Sequence, residues 1–346
     1  GGISMSWRSY ASLTKPRVVV LLQITALCAV LVHDRVYQEM NVSTANTMLI
    51  VFVGGYLSAG GANAINMWYD RDIDPMMTRT ESRPIPSGEV SAESALALGV
   101  LLSVAGVSWF WVLSNQVAAF WSAFSILFYV FIYSVWLKRS TPQNIVIGGI
   151  AGSTPPVIGW AAAEESLVVS TGSIAQIMES LVDIGSPLPW LMFLLIFLWT
   201  PPHFWALALY RSEEYGRVGI PMMPNVKGAE RTLFEMKVYA IVLILMSLAI
   251  PSSYGELQES DTLYHVLGWN VVGLSIWYAS SVWRINLGEE RDETGRIPTA
   301  ARSFFVSMLY LALMFVILVT ASFGVNGAVL GACISLFAIV RSETRQ

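Results

Sequence analysis

The sequence predicts an all-α membrane protein, a polytopic bundle of nine to ten transmembrane helices. Hydrophobic residues occupy 55% of the 346 positions and charged residues only 13%, which is too apolar for a water-soluble domain of ordinary composition. Apolar stretches of about 20 residues, the length that crosses a bilayer, recur along the whole chain. We therefore assign residues 12–341 to a single integral-membrane domain and residues 1–11 to a cytoplasmic N-terminal tail.

Ten stretches along the chain are candidate membrane spans. In order, they cover residues 17–33, 46–69, 94–113, 117–136, 144–163, 188–210, 234–252, 264–283, 303–322 and 325–340. Lysine and arginine collect in cytoplasmic loops, so the basic residues decide the orientation of the spans. With ten spans and a cytoplasmic N-terminus, only Arg35 of the 20 basic residues lies outside, whereas nine spans would misplace Arg341 and Arg345. A shallow hairpin through Gly324 and Asn326 is the alternative for the last pair.

The loop between the fifth and sixth spans is acidic, and the charge pattern places it on the outer side of the membrane. It carries Glu164, Glu165, Glu179 and Asp183. Apolar residues repeat at helical spacing over residues 174–182. We expect a short amphipathic helix there, which lies on the outer surface and does not cross the membrane.

Charge and cysteine content exclude several functional classes. The formal net charge is −4, whereas a nucleic-acid surface needs a basic face, so we expect no nucleic-acid partner. The two cysteines, Cys28 and Cys333, lie in separate apolar stretches without a disulfide or zinc motif. The partner that composition does predict is the lipid bilayer, with the chain in the cell membrane and its charged loops in the cytoplasm.

The second span ends in a polar and charged cluster. Asn66, Asp70 and Asp74 are four residues apart, which places them on one helical face, with Asn63 beside them. Pro75 disfavours helix at the residue before it, so the helix should end near Asp74. Carboxylates oppose the dipole at a helix C-terminus, and their oxygens suit Mg²⁺, which usually completes its shell with water and phosphate oxygens. We therefore predict a Mg²⁺ site on this face.

Two arginines follow the acidic face and are candidate phosphate ligands. They are Arg79 and Arg83. The alternative is an ordinary solvated loop after a membrane span, in which these charges hold no ligand. An asparagine inside the membrane at the same helical spacing as the acids favours a binding site.

The sixth span carries a second polar face. His203 follows a Pro-Pro pair inside an apolar stretch, where an ionisable residue predicts a functional role. His203, Tyr210 and Glu214 share one helical face, with His203 about 10 Å deeper than Tyr210. A neutral histidine hydrogen-bonded to a neighbouring carbonyl is the alternative.

Further basic residues are predicted at the same membrane face. Lys138 and Arg139 close the fourth span, and Lys227 follows the sixth. Each alone is an ordinary cytoplasmic anchor. Beside two acidic loops, they become candidate ligands for an anion.

Together these residues predict a site for a diphosphate on a hydrocarbon tail. Metal and cationic side chains would stabilise departing pyrophosphate while the allylic carbon becomes a carbocation. Aromatic residues would stabilise that cation through their ring faces. The candidates are Trp68, Tyr69, Tyr129, Tyr133, Phe204 and Trp205, for which core or lipid packing is the alternative.

The Asn66-Asp70-Asp74 spacing resembles the first metal motif of the UbiA superfamily of intramembrane prenyltransferases. Residues 78–91, 137–162 and 199–228 are similar to the protoheme IX farnesyltransferase family within it, and residues 12–27 fit as well. These three stretches read TRTESRPIPSGEVS, LKRSTPQNIVIGGIAGSTPPVIGWAA and WTPPHFWALALYRSEEYGRVGIPMMPNVKG. The resemblance covers about residues 12–320 and implies a UbiA-like helical bundle around an intramembrane cavity, usually of nine spans.

The resemblance also implies the reaction and its partners. Farnesyl would pass from farnesyl diphosphate to a vinyl group of heme b, with Mg²⁺ at the diphosphate, to give heme O. Downstream partners would be heme A synthase or oxidase assembly proteins.

By position in this sequence, the resemblance assigns roles to individual residues. It implies catalytic roles for Asp70, Asp74, Asn66 and Arg83. Substrate binding is expected of Asn63, Arg79, Lys138, Arg139, His203, Tyr210, Arg211 and Lys227. The second metal motif departs from the superfamily pattern, because Tyr210 and Glu214 stand where two aspartates are usual; Glu213 and Glu214 are its candidate metal ligands.

Two other functions are open from the residues. One is prenylation of a different acceptor, such as an aromatic ring or a glycerol phosphate ether lipid. The other is a transporter or lipid-binding scaffold whose acidic loops gate ions. Transporters usually carry inverted repeats with matched broken helices, and the sequence has only a loose duplication of polar loops after the second and sixth spans.

Overall fold

The computed structural model describes residues 7–77, 80–217, 221–257, 261–293 and 297–345, except the side chains of residues 210–217, 225 and 256. The described residues form helices and turns without a strand, which confirms the all-α prediction. The α-helices are α1 (Trp7–Leu13), α2 (Pro16–Tyr37), α3 (Val42–Tyr69), α4 (Ala92–Leu113), α5 (Gln116–Leu127), α6 (Asn144–Gly152), α7 (Pro155–Ala163), α8 (Ile174–Val182), α9 (Leu188–Arg217), α10 (Met223–Lys227), α11 (Ala229–Ser247), α12 (Asp261–Trp283), α13 (Pro298–Ala321) and α14 (Val325–Thr344).

Helices occupy all ten predicted spans. Within the described ranges, nine stretches are long and apolar enough to cross a membrane. They are Pro16–Tyr37, Val42–Asp72, Ala92–Leu113, Gln116–Leu137, Asn144–Ala163, Leu188–Leu209, Ala229–Gly255, Pro298–Ala321 and Val325–Thr344. The exception is α12, which has 23 residues but is less apolar than the others. The prediction of nine to ten transmembrane helices is confirmed.

The chain forms two compact units. The first takes its described residues from Gly1–Val30, Val42–Gly185 and Glu213–Met222, and the second from Leu31–Asn41, Ser186–Ser212 and Met223–Gln346. The single domain over 12–341 stays a prediction.

In the first unit, small residues let α3 and α4 pack with their backbones in close approach. A Cβ atom on Gly61 would lie 2.7 Å from the backbone N of Ser103 and 2.8 Å from the backbone O of Gly99. One on Gly106 would lie 2.7 Å from the backbone N of Ser58. Membrane helices associate through such small residues, because lipid tails offer no hydrophobic drive between helices. This contact holds α3, whose C-terminal end carries the acidic cluster.

The fourth span changes helix type partway. Regular α5 ends at Leu127, and Phe128–Leu137 form a π-helix that leads directly to Lys138 and Arg139. The π-helix is rare in proteins and often lies at functional sites. Its wider turn sets which side chains of this segment face α3.

In the second unit, polar contacts join α12 to its neighbours. The rings of Tyr278 and Tyr310 stack with centroids 4.9 Å apart, and the Tyr310 hydroxyl lies 2.8 Å from Ser275 Oγ. Near the chain's end, Glu343 forms ion pairs with Arg284 at 3.0 Å and with Arg302 at 3.2 Å. These contacts tie α12, α13 and α14 together.

The amphipathic helix predicted in the acidic loop is present as α8. Ser173 caps its N-terminus by accepting a hydrogen bond from the backbone N–H of Gln176. Leu181 is buried, while Ile174 and Met178 are exposed. The Trp121 Nε1–H donates to the Leu181 carbonyl over 2.8 Å, which attaches the helix to α5. The position of α8 on the outer membrane surface stays a prediction.

Candidate active site

The acidic cluster lies where α3 gives way to tighter turns. The α-helix ends at Tyr69 and continues as two 3₁₀ turns, Asp70–Asp72 and Asp74–Met76. Pro75 follows Asp74 in the second turn, as expected for a helix that cannot continue through a proline. Asp70 and Asp74 are 0% and 1% exposed. Two buried carboxylates therefore lie four residues apart at the end of a membrane span.

The two asparagines of α3 are buried and have different partners. The Asn63 amide nitrogen donates to the Thr14 carbonyl over 2.9 Å, which attaches α3 to the N-terminal segment. The Asn66 amide oxygen accepts a hydrogen bond from Ser134 Oγ in the π-helix over 2.6 Å. Ser134 therefore fixes the orientation of the Asn66 amide, with the oxygen toward the π-helix.

Asp70 is paired with both basic residues that follow the π-helix. Lys138 Nζ donates to one carboxylate oxygen, and Arg139 Nη2 lies 3.3 Å from the other. Arg139 also holds Asp72 through two hydrogen bonds of 2.7 Å. These bonds to Asp72, together with the charges of both aspartates, raise the pKa of Arg139. The sequence predicted this pair as ligands for an anion and did not predict its contact with the acidic residues; the anion-binding role stays a prediction.

Asp74 is paired with Arg83. Arg83 Nη1 lies 3.1 Å and 3.2 Å from the two carboxylate oxygens. Burial raises the pKa of Asp74, the Arg83 charge opposes that rise, and the negative charge of Asp70 adds to it. The two carboxylates are therefore close enough to repel each other.

Asn66, Asp70 and Asp74 are the residues from which the sequence predicted a divalent-cation site, and all three are buried. Across the described residues, no three histidine, cysteine, aspartate or glutamate side chains form a metal-ligand group. The predicted site instead combines the carboxylates of Asp70 and Asp74 with the amide of Asn66, and each carboxylate forms ion pairs with basic side chains. Asn144, whose amide donates to the Lys138 carbonyl over 3.0 Å, has a buried oxygen without a hydrogen-bond partner in the described structure.

Several predicted residues lie outside this description. Arg79 is not among the described residues, and the side chains of Tyr210, Arg211, Glu213 and Glu214 are not described although their backbone belongs to α9. Lys227 is exposed at the end of α10. A pocket of about 500 Å³ in the second unit is lined by Pro298, Thr299, Arg302, Phe305, Val306, Leu309 and Ser342, none of them predicted site residues.

His203 lies in the second unit, in a tightly packed aromatic environment. Its ring stacks on Trp199 at 4.2 Å and on Phe304 at 4.6 Å, measured between ring centroids. Phe204 meets it edge-on at 4.9 Å. Nδ1 is hydrogen-bonded to the Ser307 hydroxyl, and the residue is 6% exposed. The hydrogen-bond partner is a hydroxyl and not the carbonyl considered from the sequence.

Three contacts of the predicted site residues escaped the sequence reasoning. Ser134 and Ser307 hold predicted site residues, and Asp72 shares Arg139 with Asp70. Ser134 precedes Lys138 by four residues in an aromatic stretch, which is a signal that could have identified it. Ser307 has no such signal, because it is one of many small residues in an apolar helix.

Comparisons with known proteins found a matching family model and many sequence relatives. The model of the UbiA prenyltransferase family matches residues 22–295. A protein of Bartonella bacilliformis named protoheme IX farnesyltransferase is 42% identical over 309 residues, which cover 89% of each chain. One of the same name from Parvibaculum lavamentivorans is 42% identical over 328 residues, covering 94% of this chain and 92% of the relative.

Solved structures of membrane prenyltransferases share the fold. The structure of a digeranylgeranylglyceryl phosphate synthase has a TM-score of 0.66 at 16% identity and covers 91% of this chain and 98% of its own. A UbiA homolog from Archaeoglobus fulgidus, solved with DMAPP and Mg²⁺, has a TM-score of 0.57 at 15% identity and covers 92% and 98%. At these identities the likeness shows the fold alone. The nine apolar helices in the described residues, together with the family match, support a multi-pass membrane protein.

Proposed function

This chain belongs to the UbiA prenyltransferase family, and from that premise we propose that it transfers farnesyl from farnesyl diphosphate to a vinyl group of heme b, forming heme O and releasing diphosphate. The relatives named protoheme IX farnesyltransferase, similar over nearly the whole chain, support the acceptor. One structural observation supports farnesyl diphosphate as the donor: the buried carboxylates Asp70 and Asp74 each form an ion pair with a basic side chain. That combination suits a metal diphosphate.

Asn66, Asp70 and Asp74 fit a Mg²⁺ ion. They offer hard oxygens. Burial raises the pKa of Asp74 and the negative charge of Asp70 adds to that rise, and a bound divalent cation would oppose both effects. The Archaeoglobus fulgidus homolog was solved bound to Mg²⁺, which supports a divalent cation in this fold. When bound, Mg²⁺ would neutralise charge on the leaving diphosphate. Glu213 and Glu214 remain our proposed ligands for a second ion.

The basic side chains that hold the carboxylates are proposed to bind the diphosphate. Arg83 and Arg139 can each form two parallel hydrogen bonds to phosphate oxygens, while Lys138 acts as a point charge. Because they are paired with Asp74, Asp70 and Asp72, they are positioned before substrate arrives. Binding then exchanges carboxylate partners for phosphate oxygens. Further proposed substrate contacts are Asn63, Arg79, Tyr210, Arg211 and Lys227.

The chemistry follows from this placement. The bond between C1 of farnesyl and its diphosphate oxygen breaks, and its electron pair leaves with the diphosphate, where the cationic side chains stabilise it. The allylic cation is attacked by a vinyl carbon of heme, and water adds to the resulting cation with loss of a proton. Tyr129 and Tyr133, with ring centroids 5.6 Å apart in the π-helix, are candidates to stabilise positive charge through their faces.

The heme side of the reaction is proposed to use His203. Its ring is buried in the second unit, and only Nδ1 has a hydrogen-bond partner in the described structure. Neutral imidazole is a common ligand of iron. We propose that the enzyme lies in the cell membrane with its charged loops in the cytoplasm. Its product would then pass to heme A synthase or to oxidase assembly proteins.

The activity is tested on detergent-purified protein given heme b, farnesyl diphosphate and Mg²⁺. Mass spectrometry of the extracted porphyrin should show the hydroxyethylfarnesyl product, heme O. Parallel reactions offer an aromatic acceptor and a glycerol phosphate ether lipid in place of heme. A prenylated product from one of these, and none from heme, would contradict the proposal. Farnesyl diphosphate binding without any prenylated product would favour a lipid-binding scaffold.

A further inference from the structure

Ser307 on α13 contacts two residues of α9 at once. Its hydroxyl is hydrogen-bonded to His203 Nδ1, and its carbonyl accepts from Trp199 Nε1–H over 2.8 Å. Trp199 in turn covers one face of the His203 ring, and Phe304, three residues before Ser307, covers the other. The imidazole is therefore held at both faces and at one edge.

The direction of the hydrogen bonds assigns the histidine's protonation state. The Ser307 hydroxyl donates its one proton to the Phe304 carbonyl, over 2.5 Å. Toward His203 it can then only accept, so Nδ1 carries the imidazole proton. In a neutral imidazole the other nitrogen, Nε2, then keeps its lone pair. None of the described residues is hydrogen-bonded to Nε2, which leaves that lone pair available.

We propose that Ser307 is a positioning residue that holds His203 as the Nδ1–H tautomer, so that Nε2 is the axial ligand of heme iron while the vinyl group reacts. This rests on heme being the acceptor, as proposed above. Histidines that bind metals commonly donate their other N–H to a protein acceptor, which fixes tautomer and ring orientation. Here the acceptor is a neutral hydroxyl in an apolar helix. Axial ligation would fix the porphyrin in height and tilt relative to the imidazole.

The test is a heme titration of the purified full chain followed by the Soret band, without farnesyl diphosphate. We expect His203→Ala to shift the Soret band and added imidazole to restore it. Ser307→Ala and Ser307→Cys should weaken heme binding about 10–100-fold, the usual effect of losing the acceptor behind a ligating histidine. Ser303→Ala is the matched control, because this buried hydroxyl of the same helix bonds to Ser281 at 3.2 Å; it should bind heme as wild type does.

The outcomes separate this assignment from the proposed function. Wild-type heme affinity and Soret position in both Ser307 variants would overturn the role of Ser307. An unshifted band in His203→Ala would overturn the ligation itself, and failure of the wild-type chain to bind heme would overturn both. If the Soret changes appear as expected but the wild-type chain forms no heme O, the proposed function fails, and with it the role of this ligation in the reaction, while heme ligation by His203 held by Ser307 stands.

Discussion

Asp70 and Asp72 offer a matched pair for testing the acidic cluster. Both accept hydrogen bonds from Arg139, but the Asp70 side chain is 0% exposed and also binds Lys138, whereas that of Asp72 is 59% exposed. We predict that Asp70→Asn nearly abolishes heme O formation and that Asp72→Asn does not. Each substitution removes one negative charge that pairs with the same Arg139 guanidinium, so a general electrostatic effect would act on both.

We also expect Asp70→Asn to lower the free energy of unfolding more than Asp72→Asn does. Removing one partner of a fully buried ion pair costs about 3–5 kcal/mol. The Lys138 and Arg139 side chains keep 15% and 30% exposure, and Arg139 retains Asp72, so Asp70→Asn should cost less. We expect about 1–3 kcal/mol, the usual penalty for an unsatisfied buried polar group. The exposed Asp72 pair should contribute about 0–1 kcal/mol.

The expected loss of activity is much larger for Asp70. A group that stabilises charge in the transition state is worth about 10²–10³ in rate. We therefore expect at least a hundredfold slower heme O formation in Asp70→Asn, but less than about fivefold in Asp72→Asn, the factor that 1 kcal/mol represents. Turnover is measured by mass spectrometry of the porphyrin, and thermal unfolding in detergent checks that both variants are folded. Equal losses in the two variants, or Mg²⁺-dependent wild-type turnover in Asp70→Asn, would refute this reasoning.

Three other predictions follow from the structure. Arg83→Ala should weaken inhibition by pyrophosphate about tenfold or more, since a charge-assisted hydrogen bond is worth about 1.5–3 kcal/mol; Arg71→Ala, which removes an exposed arginine bonded to the Trp68 carbonyl, is its control, and equal inhibition constants would exclude Arg83 from the diphosphate site. Removing divalent cations with EDTA should stop turnover, and Mg²⁺ should restore it; full activity in EDTA would rule out the metal site on Asn66, Asp70 and Asp74. Gly61→Ala should destabilise the protein by about 1–3 kcal/mol because its Cβ would overpack α4. Gly273→Ala should stabilise it by about 0.5–1 kcal/mol, because beyond its own helix backbone the new Cβ would meet no atom within 4 Å. Thermal unfolding that ranks the two variants in the opposite order would contradict the close packing of α3 on α4.

Local pattern was enough to predict the spans and the acidic face. The apolar stretches are about 20 residues long, and a helix of that length needs no distant partner to be identified. The four-residue spacing of Asn66, Asp70 and Asp74 also lies within one segment, as does the effect of Pro75 on the end of the helix. The structure accordingly places these residues where the sequence predicted, at the end of α3 and in the turns that follow.

The pairing of the charges depends on contacts far apart in the chain. Lys138 and Arg139 meet Asp70 across 68 and 69 residues, and Ser134 meets Asn66 across 68. Their meeting depends on the π-helix at Phe128–Leu137, whose wider turn changes the direction of every side chain after Leu127. A helix type set by backbone hydrogen bonding and by packing leaves no period in an apolar sequence.

The sequence by itself determined the membrane-helix fold, the acidic face of α3 and the basic residues that could balance it, because hydropathy, helical spacing and proline act over neighbouring residues. Only the tertiary structure decided that Arg83 balances Asp74, that Lys138 and Arg139 balance Asp70, and that Ser307 accepts from His203. Lys138, Arg139 and His203 have partners 68, 69 and 104 residues away, and even Arg83 reaches Asp74 from nine residues further along the loop. How the helices pack determines which partners meet. From the sequence alone, the serines of the apolar helices and the arginines of the loops are equivalent until that packing brings one of them within hydrogen-bond distance.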